Sequence, residues 1–281
     1  MAGQRPPDRT WGVHKDDRRA ILKERLVEAG LGSHADTILA AGQPSIRLRA
    51  TREVETEPAP RLVGRTKLGG RPDVGPAFAW PYHHVGRPLG FVAQVNLAEA
   101  APFDPDSVLP EYGLLSFFSY VDMSLAASAV VFTDIDVPFS DDGEPMRLAE
   151  FPRELEDEWR FRGVRLRPEA DFTPFPWPPG DAWRYFDFLP TGIDGLSEAD
   201  WKAWSALQQE KEDLDEPLDR MLGYPDLIQD TPTPGQDILL LQIDSDLAGV
   251  HSIQHGRLYF LIAEADLQER RFDRAYVDWE S

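Results

Sequence analysis

A chain of 281 residues can bury a large core, and 42% hydrophobic with 28% charged residues is the composition of a globular protein. No apolar run approaches the ~18 residues of a membrane span, and with no cysteine there can be no disulfide, thiolate zinc site or cysteine nucleophile. The formal charge of −20 argues against a nucleic-acid partner, since phosphate neutralisation needs clustered Lys and Arg.

Residues 1–14, with Pro6 and Pro7, read as a disordered tail, and the opening MAGQRPPDRTWGVHKDDRRA lacks the apolar core of a secretory signal. A cytoplasmic location with no membrane partner is the expectation. From Asp16, the spacing of Ala20, Ile21, Leu22, Leu26 and Val27 predicts a helix that stops at Gly30. A second short helix is predicted from Ser33, as N-cap, to Ala41, ended by Gly42. SIRLRATREV then alternates apolar and basic residues as a strand does, completing an N-terminal segment, 15–60, that packs on a main domain, 61–281.

Beyond residue 62 the chain becomes a series of strand-like runs separated by Pro, Gly and Asp: GFVAQVNL, GLLSFFSYV, SAVVFTDI, EWRFRGVRLR, WRYFDFL, DILLLQI and GRLYFLI. One helix interrupts them, beginning at Ser197 with Asp200 at the capping-box position and Trp201, Trp204, Leu207 and Leu214 on one stripe. Pro217 predicts a further helical piece ending at Gly223. The fold class is therefore α+β, a mostly antiparallel sheet with N-terminal and central helices.

An internal echo runs through the sheet. LGGRPD, FVAQVNL and GLLSFF occur in the same order as LGYPD, LLLQIDS and GRLYFL, so that Gln94 pairs with Gln242 and Asn96 with Asp244. The expectation is a sheet built from two related β-rich repeats. In an extended run Gln242, Asp244 and Asp246 share one face while Leu241 and Ile243 take the other, and Gln94 and Asn96 repeat the pattern. A group needed twice in matching places reads first as a fold-maintaining hydrogen bond, with Gln satisfying a turn and Asn or Asp closing a strand.

TKLGGRPDVGPAFAWP, GRPLGFVAQVNLAE, YGLLSFF, GYPDLIQ, LLLQIDSD and GRLYFLI together resemble the YwqG-like family, a bacterial family, also found in some eukaryotes, of unknown function. The resemblance spans Lys67 to Trp279. It implies a compact, sheet-rich α+β fold and no known reaction. Members sit in some gene neighbourhoods of polymorphic toxins, which implies an immunity-like or partner-binding role. A Trp-Gly-Asp-x-Gly turn usual in the family is replaced here by SIQHG, which keeps Gly256 but has Ser252, Ile253 and Gln254.

Other chemistry is thinly represented. Asp244-x-Asp246 offers two carboxylates to a divalent cation, which alone are too few. His251 and His255 lie between strands, so their spacing is that of a turn, and His83 and His84 should point to opposite sides of an extended chain. SDDGEP, Ser140 to Pro145, lacks the Asp spacing of a calcium loop, and LGGRPD lacks that of a phosphate cradle. Prolines surround Trp80, Tyr82, Phe172, Phe175, Trp177, Trp183, Tyr185 and Phe186, which either line a groove or cover the sheet as a second core layer.

The charge is uneven: 14 of the 29 Lys and Arg but 10 of the 49 Asp and Glu fall in residues 1–75, leaving that segment at +4 and the remainder at −24. The functional expectation is a non-enzymatic protein- or ligand-binding domain, its acidic surface suited to a basic protein partner. Candidate binding residues are Trp80, Gln94, Asn96, Trp177, Gln242, Asp244 and Asp246, with no catalytic set, metal or cofactor expected. The alternative is a metal-dependent or small-molecule enzyme using Gln242, Asp244 and Asp246.

Overall fold

The structure, a computed structural model, describes residues 15–54, 63–75, 77–122, 125–134, 146–175, 196–212, 219–226, 237–244 and 256–280. Among the described residues ten strands form one antiparallel sheet in the order β12-β11-β10-β9-β1-β8-β2-β4-β5-β6. In chain order these are β1 (Gln43–Val54), β2 (Lys67–Leu68), β4 (Gly90–Asn96), β5 (Leu114–Asp122), β6 (Leu125–Thr133), β8 (Val164–Thr173), β9 (Arg220–Met221), β10 (Asp237–Asp244), β11 (Arg257–Ala263) and β12 (Tyr276–Glu280). The terminal strands β6 and β12 approach each other, so the sheet is a nearly closed barrel, and β3 (Asp73–Val74) pairs apart with β7 (Arg147–Leu148).

The nearly closed barrel wraps around side chains that the alternating pattern sends inward. Ile46, Leu48, Leu68, Val95, Leu115, Phe117, Leu166, Met221, Leu241, Ile243, Leu258 and Phe260 are all buried in one core cluster. A single helical turn, α3 (Leu97–Ala100), follows β4, and a second, smaller core joins α1 (Lys15–Glu28), α2 (Ala35–Ala40) and α4 (Glu198–Glu212) through Leu26, Leu31, Ile38, Phe175, Trp201 and Trp204.

Helix ends follow the local chemistry. The α1 end turns through Gly30 at φ +83°, with the Leu31 amide bonded back to the Leu26 carbonyl at 2.7 Å. At α4, Ser197 and Asp200 form a capping box: the Asp200 amide donates to Ser197 Oγ at 3.3 Å, and the Ser197 amide donates to Asp200 Oδ2 at 2.8 Å. The α2 start differs from expectation, because His34 rather than Ser33 takes the cap position and gives no side-chain bond.

Three further expectations need correction. Arg220–Met221 is strand, not the end of a helix, because its backbone edge completes the sheet between β1 and β10. EWRFRGVRLR becomes strand only from Val164, since Asp157–Trp159 turns to seat the Trp159 ring against Tyr120, centroids 5.1 Å apart. Finally, the His83 and His84 rings lie together, centroids 3.8 Å apart, because these residues form a turn rather than extended chain. The expected tail, WRYFDFL and SDDGEP lie outside the described residues, as do Leu214 and Pro217.

Candidate functional site

Two polar clusters form where β2 meets β4 and where β9 meets β10. In the first, Lys67 stands opposite Gln94 in the ladder, and the turn after β2 runs through Gly69 and Gly70 at φ +61° and +73°. That turn brings Asp73 back over Gln94. The Asp73 amide donates to Gln94 Oε1 at 3.0 Å, while Gln94 Nε2 donates to the Arg65 carbonyl at 2.8 Å and to the Asp73 carboxylate. Lys67 Nζ lies 3.4 Å from Asp73 Oδ1, both side chains fully buried. Burial pushes the Asp73 carboxyl up, and Lys67, Gln94 and the Gly64 amide oppose it. The Gln94 amide is thus consumed by internal bonds.

The second cluster has the same wiring. Arg220 stands opposite Gln242, and Leu222 and Gly223 take φ +58° and +69° in the turn that returns Asp226. The Asp226 amide donates to Gln242 Oε1 at 2.8 Å, and Gln242 Nε2 donates to Asp226 Oδ2 at 3.2 Å. Arg220 pairs with the same carboxylate. Tyr259, opposite Gln242 on β11, adds an O–H bond to the Asp226 carbonyl at 2.7 Å. Its hydroxyl pKa is raised, first by burial and then by Glu280.

The strand ends are tied as closely. Asn96 donates from Nδ2 to the Gly64 carbonyl at 2.7 Å, accepts at Oδ1 from the Ala98 amide at 2.9 Å, and its own amide donates to Thr66 Oγ1 at 3.1 Å. At Asp244 the backbone amide donates to Asp219 Oδ1 at 2.8 Å, and the carboxylate faces Arg257 Nε at 3.4 Å. Asp219 is wholly buried. That burial, reinforced by the Asp244 charge and opposed by the Asp244 amide, Arg47 and Arg220, pushes its carboxyl up to about 7.

Trp80 belongs to a different place. The chain from Phe78 to Leu89 folds against β5 as a hairpin, with a bridge between Tyr82 and Pro88. Trp80 donates from Nε1 to the Leu89 carbonyl at 2.9 Å and meets Phe118 edge to face at 5.4 Å. Arg87 Nη1 donates to the Tyr120 hydroxyl at 2.5 Å. Anchored in this way, the hairpin presents Tyr82 and Val85 to solvent, 49% and 61% exposed. Phe172 and Phe175 are buried, whereas Trp177, Trp183, Tyr185, Phe186, Asp246, His251 and His255 lie outside the described residues.

The structure therefore gathers Gln94 with Asn96 and Gln242 with Asp244, and sets Trp80 apart. Sequence reasoning missed Lys67, Asp73, Asp219, Arg220 and Asp226 as members of these clusters. Extending the aligned segments backwards to TKLGGRPD and DRMLGYPD would have placed Thr66 beside Asp219 and Lys67 beside Arg220. Among the described residues no group of three His, Asp or Glu side chains is placed to hold a metal ion, and no helix is long and apolar enough to cross a membrane.

The family described as Domain of unknown function (DUF1963) matches residues 66–281, which holds both polar clusters and the hairpin. The chain belongs to this family. No curated protein matches it. The matched region of this DUF1963 chain begins at Thr66, so β1, which lies between β8 and β9 in the sheet, precedes it.

Proposed function

We propose that this chain is a non-enzymatic, cytoplasmic protein-binding domain of the YwqG-like type, an immunity-like partner whose binding surface is the hairpin carrying Tyr82 and Val85. The observation that carries this reading is how the polar residues are used. Gln94, Asn96 and Gln242 are buried and bonded within the fold, and Asp244 is tied to Asp219 and Arg257. An exposed Tyr and Val on a clamped turn instead offer a stiff amphipathic contact with little ordering cost. The net charge of −20 favours a basic partner and speeds encounter with it.

The matched wiring around Gln94 and Gln242 supports a further part of the reading, that the sheet is two copies of one β-rich unit. Each copy then contributes a turn locked by Gln and Asp, and β1 and β8 would be exchanged between them. On this reading the Gln–Asp locks serve the scaffold and the hairpin serves recognition.

The test is affinity capture with purified protein against basic proteins encoded beside its gene. Binding that weakens with salt and is lost in a Tyr82→Ser/Val85→Asp double variant of unchanged melting temperature supports the reading. Capture that the double variant leaves intact overturns the assigned surface. Calorimetry with Mg²⁺ and Ca²⁺ addresses the enzyme alternative, which requires saturable binding that Asp244→Ala abolishes.

A further inference from the structure

The hairpin that carries Tyr82 and Val85 turns on two adjacent histidines. Its arms are tied by the Leu89 amide, which donates to the Pro81 carbonyl at 3.0 Å, and by the His83 amide, which donates to the Arg87 carbonyl at 2.8 Å. Between them the chain reverses at His84 and Val85. The Gly86 amide closes that turn on the His83 carbonyl at 2.8 Å, and Gly86 itself takes φ +81°. The His83 side chain adds a tie inside the turn, accepting at Nδ1 from the Val85 amide at 3.4 Å. Asn and Asp stiffen turns in the same way, by bonding the backbone two residues on. Here the side chain that does so can take up a proton.

Accepting at Nδ1 requires the lone pair of a neutral imidazole, with its hydrogen on Nε2. A second proton sets N–H against N–H, so the tie becomes a repulsion between two donors. The surroundings add to that cost. His83 is only 9% exposed, and its ring lies 3.8 Å from that of His84, centroid to centroid. Arg87 is held nearby, donating from Nη1 to the Tyr120 hydroxyl with its guanidinium over the Tyr120 ring. Burial, then His84 and Arg87, push the His83 imidazole below its ordinary 6.5, and no carboxylate among the described residues offsets them. From β5 the hairpin meets the neutral Phe118 and Tyr120. Phe151, against Trp80, brings Arg160 over its own ring, and that cation is already paired with Asp157.

The direction of the effect follows by linkage. In an opened turn the His83 ring charges at its ordinary 6.5, whereas the closed turn keeps it neutral to lower pH. Protons therefore favour the open form, and closure, complete at neutral pH, weakens as pH falls below 6.5. Val85, 61% exposed, lies in this turn, so its presentation is tied to the charge on His83.

We propose that His83 is a proton-operated latch on the hairpin: uncharged, it holds the turn that presents Val85 beside Tyr82, and charged, it releases that turn, so that partner binding is strong at neutral pH and weak in mild acid. The regulation of binding rests on the hairpin being the recognition surface, while the latch belongs to the free chain.

Nuclear magnetic resonance of the whole free chain, from about pH 8 to about pH 5, tests it. The His83 imidazole and the Val85 backbone amide should titrate together, with one midpoint below 6.5. His84→Gln should raise that midpoint, because it removes a charge from the ring beside His83. His83→Asn keeps an acceptor for the Val85 amide without the proton, and should cut the Val85 excursion about threefold or more. A Val85 amide that stays still while His83 titrates overturns the latch, and so does an excursion that His83→Asn leaves undiminished. Should His83→Asn not fold, the midpoint decides: one that His84→Gln fails to raise overturns the coupling. Capture at neutral pH reports on the hairpin as a binding surface and the shifts of the free chain report on the latch, so either can fail alone.

Discussion

Phe117 and Phe260 meet edge to face inside the barrel, their ring centroids 5.1 Å apart. Phe117 lies opposite Ala93 and Phe260 opposite Leu241, in each case just past the register shift of its strand pair. The contact joins the two ends of the sheet across the core. Truncating either ring to Ala should cost about 3–5 kcal/mol. The double variant should lose less than the sum, with a coupling of about 0.5–1.5 kcal/mol. Urea unfolding of the four proteins in the cycle measures both, and strict additivity would contradict a direct contact.

The Gln–Asp locks make a paired prediction. Gln94→Leu and Gln242→Leu each strip an acceptor from an aspartate amide and a donor from its carboxylate. Each should destabilise by roughly 2–4 kcal/mol, with Gln94→Leu the worse because it also abandons the Arg65 carbonyl. Denaturant titration gives the order, and a neutral Gln94→Leu would show that the lock is dispensable.

Asp219 makes stability depend on pH. Its folded-state carboxyl is raised to about 7 from an ordinary 3.8, so the folded protein holds a proton that the unfolded chain has released. Between about pH 4 and pH 7 stability should therefore fall as pH rises, and above 7 the buried charge remains a penalty of up to about 4 kcal/mol. Asp219→Asn keeps the acceptor for the Asp244 amide and removes the ionisation. It should flatten this part of the profile and raise the melting temperature at pH 8. A melting temperature that rises equally with pH in both proteins would refute the assignment.

Gly69 is held at φ +61°, and a Cβ added there would meet the Arg162 carbonyl oxygen at 2.4 Å. Gly69→Ala combines a disfavoured backbone with a clash against main chain, so a loss above about 1 kcal/mol is expected. The turn also aims Asp73 at Gln94, so Gln94→Leu should cost less in the Gly69→Ala background than in the native one. Equal costs in both backgrounds would separate the turn from the lock.

How much of this was legible in the sequence depends on which force dominates at each residue. LLLQIDSD and FVAQVNLA announce themselves as short apolar runs that end in polar residues, the pattern of strands buried on both faces. The two-residue strands at Lys67 and Arg220 have no period to read, and a charged residue gives no sign that it will be buried. The return of Asp73 and Asp226 over the sheet brings each of those buried cations a carboxylate. Trp80 was legible as an aromatic among prolines, but its place on Phe118 follows from a hairpin whose closure depends on tertiary contact. The juxtaposition of His83 and His84 was lost for the same reason: the turn, rather than strand alternation, sets their direction.

The position of β1 has a consequence for synthesis. Gln43 pairs with Thr173, so their separation of 130 residues must be made before the longest strand of the sheet acquires its partner. At the usual ~5–20 residues per second, β1 waits about 6–26 s after leaving the ribosome. Throughout that interval Ile46 and Leu48 have neither the β8 nor the β9 neighbour that later covers them. The arginines alternating with them keep this early segment soluble while it is idle, so the same charges that line the finished seam act first as its guard against aggregation.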